Sequence, residues 1–152
     1  LKAIYHVLEA HDFTTEAVTI EELCTRRRET LEEVRLQLSA LEAHSMASVD
    51  DRRGTVHLTP QGWRLACAVV RNHRLWELYL TNAANYQADH VHEDAERIEH
   101  VLGEETVRQL ERRLDYPNRD PHGKVIPSLR DLDSQQSMRG VRKPTGYGEK
   151  SA

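Results

Sequence analysis

Apolar residues recur at the spacing of amphipathic helices over much of the first half of the chain. Leu1, Ile4 and Leu8 predict a first helix, because residues three and four apart lie on one helix face. Two further helices are predicted to begin at Thr19 and Thr30. Each of these threonines is followed three residues later by a glutamate, which is the spacing of a capping box. The pattern therefore predicts three short helices in succession.

The next stretch alternates apolar and polar residues around a charged turn. Val49 precedes this turn, and Val56 and Leu58 follow it, which is typical of a β-hairpin with its tip at Asp50–Gly54. Three helices followed by a two-stranded hairpin describe a winged helix-turn-helix, with the third helix in the recognition position. We expect this domain to occupy residues 1–62.

Helical periodicity resumes at Pro60, which fits the first position of a helix that runs to about Thr81. Further helices are predicted over His90–Leu102 and, after Gly103, from Glu104 to Leu114. The predicted fold class is therefore mainly α, a winged helix-turn-helix followed by a helical domain.

The remaining boundaries follow from composition. The helical domain is expected over residues 63–127, where a segment rich in Pro, Gly and Asx residues ends it. Residues 128–152 are polar and lack periodicity, so they are predicted to be a disordered tail.

Imidazoles and carboxylates are concentrated in His90–Leu102. On a helical wheel the apolar residues form one stripe, and the polar residues beside it are His92, Glu96, Glu99 and His100. His73 and Glu77 form a second pair, four residues apart on the preceding helix. A solvated, salt-bridged face is one interpretation. The other interpretation is a transition-metal site. It is favoured because burying a carboxylate at a half-buried edge costs free energy unless the charge is paired.

Three segments, in order, resemble the metal-binding and dimerisation domain of the diphtheria-toxin-repressor/manganese-transport-regulator family. They are RNHRLWELYL (71–80), HVHEDAERIEHVL (90–102) and DPHGKVIP (120–127). The winged-helix pattern and LTPQGWRLA (58–66) fit the same family. The resemblance spans roughly Leu1 to Pro127.

The resemblance implies a Mn²⁺- or Fe²⁺-responsive, DNA-binding transcriptional regulator of metal homeostasis, and not an enzyme. Such a regulator is expected to be a cytoplasmic homodimer that binds double-stranded DNA and up to two ions per subunit. The implied ligands are His73, Glu77 and His92 for one site and Glu96, Glu99 and His100 for the other. Glutamate at position 96 resembles the manganese-sensing branch and favours Mn²⁺, with Fe²⁺ as the competitor.

The DNA-binding surface is predicted from local clusters, because the net charge of −4 excludes a general basic field. The candidate contact residues are Arg26, Arg27, Arg28, Thr30, Arg35, Arg52 and Arg53. The start of the third helix also carries Glu29, Glu32 and Glu33, which repel phosphates. Two interpretations stay open: these glutamates favour the helix N-terminus, or DNA binding has been lost.

One position of the first helix departs from the family pattern, and this departure supports an alternative function. Lys2 stands where the family has an acidic metal ligand, and protonated lysine cannot coordinate a metal. Domains of this family also occur fused behind the permease of manganese/iron/zinc ABC transporters, and RNHRLWELYL resembles those versions. The alternative is a metal-sensing domain at the cytoplasmic face of the membrane, with weak or no DNA binding and a transporter upstream of Leu1.

Other polar residues are assigned no chemistry. Cys24 and Cys67 match no zinc spacing and are predicted to be reduced thiols. His122 lies in the turn DPHG, which is interpreted as loop geometry rather than as a metal site. No segment reaches the ~18 apolar residues of a membrane span.

Overall fold

The computed structural model describes residues 1–83, 103–133 and 141–147. The elements, in chain order, are α1 (Lys2–Ala10), β1 (Ala17–Thr19), α2 (Ile20–Arg27), α3 (Leu31–Ala43), β2 (Ala47–Asp50), β3 (Thr55–Leu58), α4 (Pro60–Ala83), α5 (Glu104–Arg113) and α6 (Leu129–Asp133). The chain divides into two compact units. Of the described residues, unit 1 contains 1–66 and 141–143, and unit 2 contains 67–83, 103–133 and 144–147.

Both predicted capping boxes are present, at the starts of α2 and α3. The backbone N–H of Glu22 donates to Thr19 Oγ1 at 3.1 Å, and the backbone N–H of Thr19 donates to Glu22 Oε2 at 2.9 Å. Thr30 and Glu33 repeat this exchange at 3.3 and 2.8 Å. These bonds satisfy donors that a helix N-terminus otherwise leaves unpaired, so the two threonines determine where the helices begin.

The predicted hairpin is present, and a third strand joins it. β2 and β3 pair antiparallel with Val49 opposite Val56, and Gly54 in the connecting turn has a φ of +62°, which favours glycine. β1 pairs with the other edge of β3, with Val18 opposite Val56, so the strand order is β1-β3-β2. The sequence pattern does not predict β1, because a three-residue strand is too short to show alternation.

Apolar and aromatic side chains form the core of unit 1. Tyr5 is fully buried and stacks on Trp63, with ring centroids 5.4 Å apart. Phe13 packs edge-on against Tyr5 at 5.4 Å. At Gly62 the backbone of α4 passes so close to the start of β2 that a Cβ would lie 1.8 Å from the carbonyl oxygen of Met46, so this position requires glycine.

Thr59 and Pro60 begin α4 as the sequence predicts. The backbone N–H of Gly62 donates to Thr59 Oγ1 at 3.0 Å, and that of Trp63 donates to the Thr59 carbonyl at 2.8 Å. The helix continues to Ala83, and the division into units falls within it rather than at residue 62. Neither α4 nor any other described helix combines the length and apolar character that crossing a membrane requires.

Unit 2 packs α5 against the second half of α4. Its core contains Leu75, Val107, Leu110 and Ile126. Residues 116–127, named here the turn segment, connect α5 to the start of α6. The carboxylate of Asp120 accepts the backbone N–H groups of His122 and Lys124, both at 2.8 Å. The Asp120 side chain therefore stabilises the bend at residues 120–124 of the turn segment.

The structure differs from the predicted disordered tail at residues 128–133 and 141–147. The backbone N–H of Ser128 donates to Asp131 Oδ2 at 2.7 Å, and that of Asp131 donates to Ser128 Oγ at 3.2 Å. This reciprocal pair begins α6 in the manner of a capping box. The prediction of disorder relied on composition, which does not reveal such a local pair.

Candidate metal centre

His73 and Glu77 lie one helical turn apart on α4, and both side chains are buried. His73 is 3% exposed and Glu77 is 2% exposed. The Nε2 atom of His73 lies 3.0 Å from Glu77 Oε1. The helix therefore brings together the pair that the four-residue spacing predicts. Because a carboxylate loses its hydration on burial, this position is costly unless partners compensate the charge.

The turn segment brings two further donors to Glu77. His122 Nδ1 lies 3.9 Å from Glu77 Oε2. One potential ligand atom from each of Glu77, Asp120 and His122 lies within 4.8 Å of the other two. Glu77 and Asp120 are buried, whereas 45% of the His122 side chain is exposed. The group is therefore accessible from solvent on its histidine side.

Arg74 links the turn segment to α4. Its Nη1 donates to the carbonyl oxygen of Val125 at 2.6 Å, and its Nε lies 3.5 Å from Asp120 Oδ2. The guanidinium is buried. These contacts, with the bonds that Asp120 accepts from its own turn, hold the carboxylate at a defined distance from α4.

The donor set fits Mn²⁺ or Fe²⁺. Carboxylate oxygens and imidazole nitrogens are a combination that such ions accept. Ligand atoms that each stand about 2.2 Å from one ion are at most about 4.4 Å apart, and one potential ligand atom of each of these three residues lies within 4.8 Å of the other two. Two carboxylates and the guanidinium of Arg74 leave one net negative charge, which a bound cation would offset.

The sequence interpretation missed Asp120 and His122. Reading DPHG as loop geometry is incomplete, because Asp120 both holds its turn and approaches Glu77. One feature of the sequence could have indicated these two ligands. His122 follows Asp120 by two residues, within the segment DPHGKVIP that already resembles the family. The other predicted ligands, His92, Glu96, Glu99 and His100, lie outside the described residues.

Half of the predicted DNA-contacting arginines in unit 1 are paired with carboxylates. Arg27 donates to Glu29 through Nε and Nη2, at 2.7 and 2.8 Å. This pairing raises the pKa of Arg27 and lowers that of Glu29. Arg35 Nη1 donates to Asp51 at 2.7 Å. The positive charge of these two arginines is thus largely neutralised within the protein.

The remaining predicted DNA contacts differ in whether their side chains already have a partner within the protein. Thr30 belongs to the capping box of α3, and Arg53 Nε lies 3.8 Å from Asp50. Within the described part of the chain, no carboxylate pairs with the exposed side chains of Arg26, Arg28 and Arg52. These three arginines are the cations most available to a phosphate backbone.

Comparison with known proteins matches part of the chain to a described domain. Residues 59–128 match the family model of the iron dependent repressor, metal binding and dimerisation domain. The chain is 36% identical over 119 residues to the diphtheria toxin repressor of Corynebacterium efficiens, which covers 71% of this chain and 52% of that protein. The chain thus spans about half the length of this relative.

Two further similarities were found. The structure of the manganese regulator SloR matches with a TM-score of 0.70 and 33% identity, covering 84% of this chain and 57% of that chain. A probable metal transport system membrane protein of Chlamydia trachomatis is 43% identical over 70 residues, covering 46% of this chain and 16% of that protein. The likeness to the regulators therefore covers more of this chain.

Proposed function

The chain belongs to the diphtheria-toxin-repressor/manganese-transport-regulator family, and on that premise we propose that it is a Mn²⁺- or Fe²⁺-responsive, DNA-binding transcriptional regulator of metal homeostasis. It acts as a homodimer in the cytoplasm. The repressors to which the chain is similar are not named as enzymes, in agreement with a regulatory rather than a catalytic role.

The observation that carries this proposal is the buried carboxylate of Glu77 beside imidazole and carboxylate donors. Glu77, Asp120 and His122 would hold the ion, with His73 next to Glu77 on α4. In the same proposal, His92 adds to this site, and Glu96, Glu99 and His100 form a second site. The preference for Mn²⁺ over Fe²⁺ rests on Glu96, because the resemblance assigns a carboxylate at this position to the manganese-sensing branch and a carboxylate is a hard donor.

The proposed mechanism is ligand-linked ordering. A bound ion would supply positive charge between α4 and the turn segment, where the two carboxylates otherwise face each other. Any ligand that binds only the ordered arrangement shifts the population toward it. The stabilisation is about 2.7 kcal/mol when the free ligand is one hundred times its Kd.

The metal proposal is tested by thermal unfolding with and without micromolar Mn²⁺. Mn²⁺ is expected to raise the Tm of the unaltered chain, and His122→Ala is expected to lose much of that rise. His122 is half-exposed, so its removal leaves the core intact. His57→Ala is the matched control, because His57 is an exposed histidine on β3. An equal rise in both variants would contradict the assignment of the site.

The second site has its own test. We expect Glu99→Ala combined with His100→Ala to remove most of the Mn²⁺-induced shift in Tm. If the double variant responds to Mn²⁺ as the unaltered chain does, the ligands taken from the resemblance are wrong.

DNA binding is proposed to depend on Arg26, Arg28 and Arg52, which pair with no carboxylate of the described residues. Each phosphate that a cationic side chain neutralises changes the slope of log K against log salt by about 0.9. Three such arginines in each of two subunits predict a slope of about −5. Fluorescence anisotropy with DNA from upstream of the chain's own gene, with and without Mn²⁺, measures this slope. No binding in either condition would contradict the proposed regulator.

The alternative, a metal-sensing domain of a transporter permease, is not favoured. The repressor relative covers 71% of this chain, whereas the membrane protein covers 46%. The DNA titration also separates the two functions, since a metal sensor without DNA binding would bind Mn²⁺ and leave DNA unbound.

A further inference from the structure

Residues 144–147, named here the C-terminal strap, make directed polar contacts within unit 2. The hydroxyl of Tyr147 donates to Glu111 Oε1 at 2.7 Å. The backbone N–H of Tyr147 donates to Asn118 Oδ1 at 2.8 Å. Asn118 belongs to the turn segment and lies two residues before Asp120. The strap therefore binds the turn segment close to the proposed metal ligands.

The strap is also anchored to the start of α6. The backbone N–H groups of Thr145 and Gly146 donate to the two carboxylate oxygens of Asp131, each at 3.1 Å. The hydroxyl of Thr145 donates to the same carboxylate at 3.1 Å. Asp131 thus pairs with Ser128 at the start of α6 and also accepts hydrogen bonds from the strap. These bonds fix the position of the strap along α6.

Gly146 lets the strap backbone lie directly against the turn segment. Its φ is +64°, a conformation that favours glycine. A Cβ there would lie 3.2 Å from Asn118 Oδ1 and 3.3 Å from the carbonyl oxygen of Ile126. Asn118 and Ile126 are the two ends of the stretch that carries the metal-centre residues, and their backbones are hydrogen bonded to each other at 2.8 Å.

Tyr147 also completes a buried ion pair that joins α4 to α5. Arg71 Nη2 lies 2.6 Å from Glu111 Oε2, and these two side chains are 3% and 2% exposed. Tyr147 supplies a donor to the second oxygen of the same carboxylate. Burial, and then the neighbouring Glu111, raise the pKa of Tyr147, so its hydroxyl stays protonated and donates. Arg71 lies two residues before His73 on α4.

We propose that the C-terminal strap positions the metal centre, by holding the turn segment with Asp120 and His122 against the helix that carries Glu77. This inference rests on the proposed function. The strap supplies no ligand atom and acts through Asn118 and Glu111. Its physical effect is preorganisation, because ligands that are already ordered lose less conformational entropy when an ion binds.

The test compares Tyr147→Phe with Tyr116→Phe. Tyr116 packs edge-on against Tyr147 at 5.5 Å and is 44% exposed. Its backbone N–H donates to the carbonyl oxygen of Glu111 at 2.9 Å, and the control keeps this bond because it removes only the phenolic hydroxyl. Mn²⁺ affinity is measured by electron paramagnetic resonance of the free ion, well below the Tm of each variant. Tyr147→Phe is expected to weaken Mn²⁺ binding about tenfold, and Tyr116→Phe to leave it unchanged.

A second variant and a second readout separate positioning from simple loss of stability. Gly146→Ala is expected to weaken Mn²⁺ binding in the same direction, because the added Cβ pushes the strap off Asn118. In both variants, hydrogen exchange without metal is expected to accelerate at the backbone amides of His122 and Lys124, which donate to Asp120. A strap that is only structural would lower the Tm and change neither measurement.

The outcomes distinguish this inference from the function on which it rests. If the unaltered chain binds Mn²⁺ and both strap variants bind it equally well, the positioning role is overturned while the metal-sensing function stands. If the unaltered chain binds no Mn²⁺, the metal-sensing function fails, and the positioning role fails with it.

Discussion

The two units place their charged side chains in opposite environments. Among the described residues, every buried arginine, histidine, aspartate or glutamate lies in unit 2, namely Arg71, His73, Arg74, Glu77, Glu111 and Asp120. In unit 1 the carboxylates stay near the surface, where they complete capping boxes or pair with arginines. The interior of unit 1 is apolar and aromatic.

This difference indicates what each unit is built to do. Buried ion pairs contribute little net stability compared with well-packed apolar side chains of similar volume. A unit that retains six buried charged or titratable groups therefore keeps them for another reason, and clusters of such groups are typical of functional sites. Unit 1 depends on packing and helix caps, and the buried charges of unit 2 agree with the metal centre proposed above.

The largest expected effect comes from breaking a buried pair in unit 2. Arg71→Met leaves Glu111 buried without its cation, and removing one partner of such a pair costs about 3 to 5 kcal/mol. Arg108→Met is the control, because its pair with Glu104 is exposed and is worth about 0.3 to 0.5 kcal/mol. Urea unfolding measures both. Equal losses would contradict the contrast between buried and surface charge.

A packing change is expected to have the largest effect in unit 1. Gly62→Ala places a Cβ 1.8 Å from a backbone oxygen of Met46, which cannot rotate away, so we expect a loss of about 2 to 3 kcal/mol. At Gly103 no atom of the described residues, its chain neighbours aside, lies within 4 Å of an added Cβ, so Gly103→Ala is the control. Thermal unfolding followed by circular dichroism compares the two. A tolerated Gly62→Ala would mean that β2 and α4 are packed less closely than the structure shows.

A smaller effect is expected at a helix cap. Thr19→Ala removes the side-chain acceptor of the Glu22 backbone N–H, and the loss of such a cap costs about 1 kcal/mol. Thr25→Ala serves as the control, since Thr25 is an exposed residue within the same helix. Urea unfolding should show a lower midpoint for Thr19→Ala alone.

The smallest effect is a pH dependence at the same cap. Hydrogen bonds from the backbone and the hydroxyl of Thr19, and then from His11, lower the pKa of Glu22 below its ordinary 4.5. Its stabilising contribution is therefore complete above that pH and is lost as the pH falls through the lower, folded-state value. The Glu22 side chain is 37% exposed, so solvent screening limits the contribution to a few tenths of a kcal/mol. Glu22→Gln should be less stable than the unaltered chain at pH 7, and the difference should shrink below pH 4.

Local signals in the sequence predict most of the fold of unit 1. The capping boxes, the hairpin and the start of α4 each depend on neighbours within a few residues, so they are visible in the pattern. β1 is not predicted, because its partner β3 lies about forty residues away and three residues carry no period. Local information therefore suffices wherever the stabilising contact is local.

The candidate metal centre could be predicted only in part, for the same reason. The spacing of His73 and Glu77 on one helix is a local signal. The approach of His122 to Glu77, the Arg71–Glu111 pair and the seating of Tyr147 join positions far apart in the chain. Contacts between distant positions leave no periodic pattern in the sequence. The strap is also polar and contains proline and glycine, a composition that is typical of disordered segments.

The most direct test is a crystal of the protein grown with Mn²⁺ and measured at the manganese absorption edge. The account predicts an anomalous peak within about 2.3 Å of carboxylate oxygens of Glu77 and Asp120 and of a ring nitrogen of His122. Manganese bound only elsewhere, with no ion between Glu77, Asp120 and His122, would contradict the central claim.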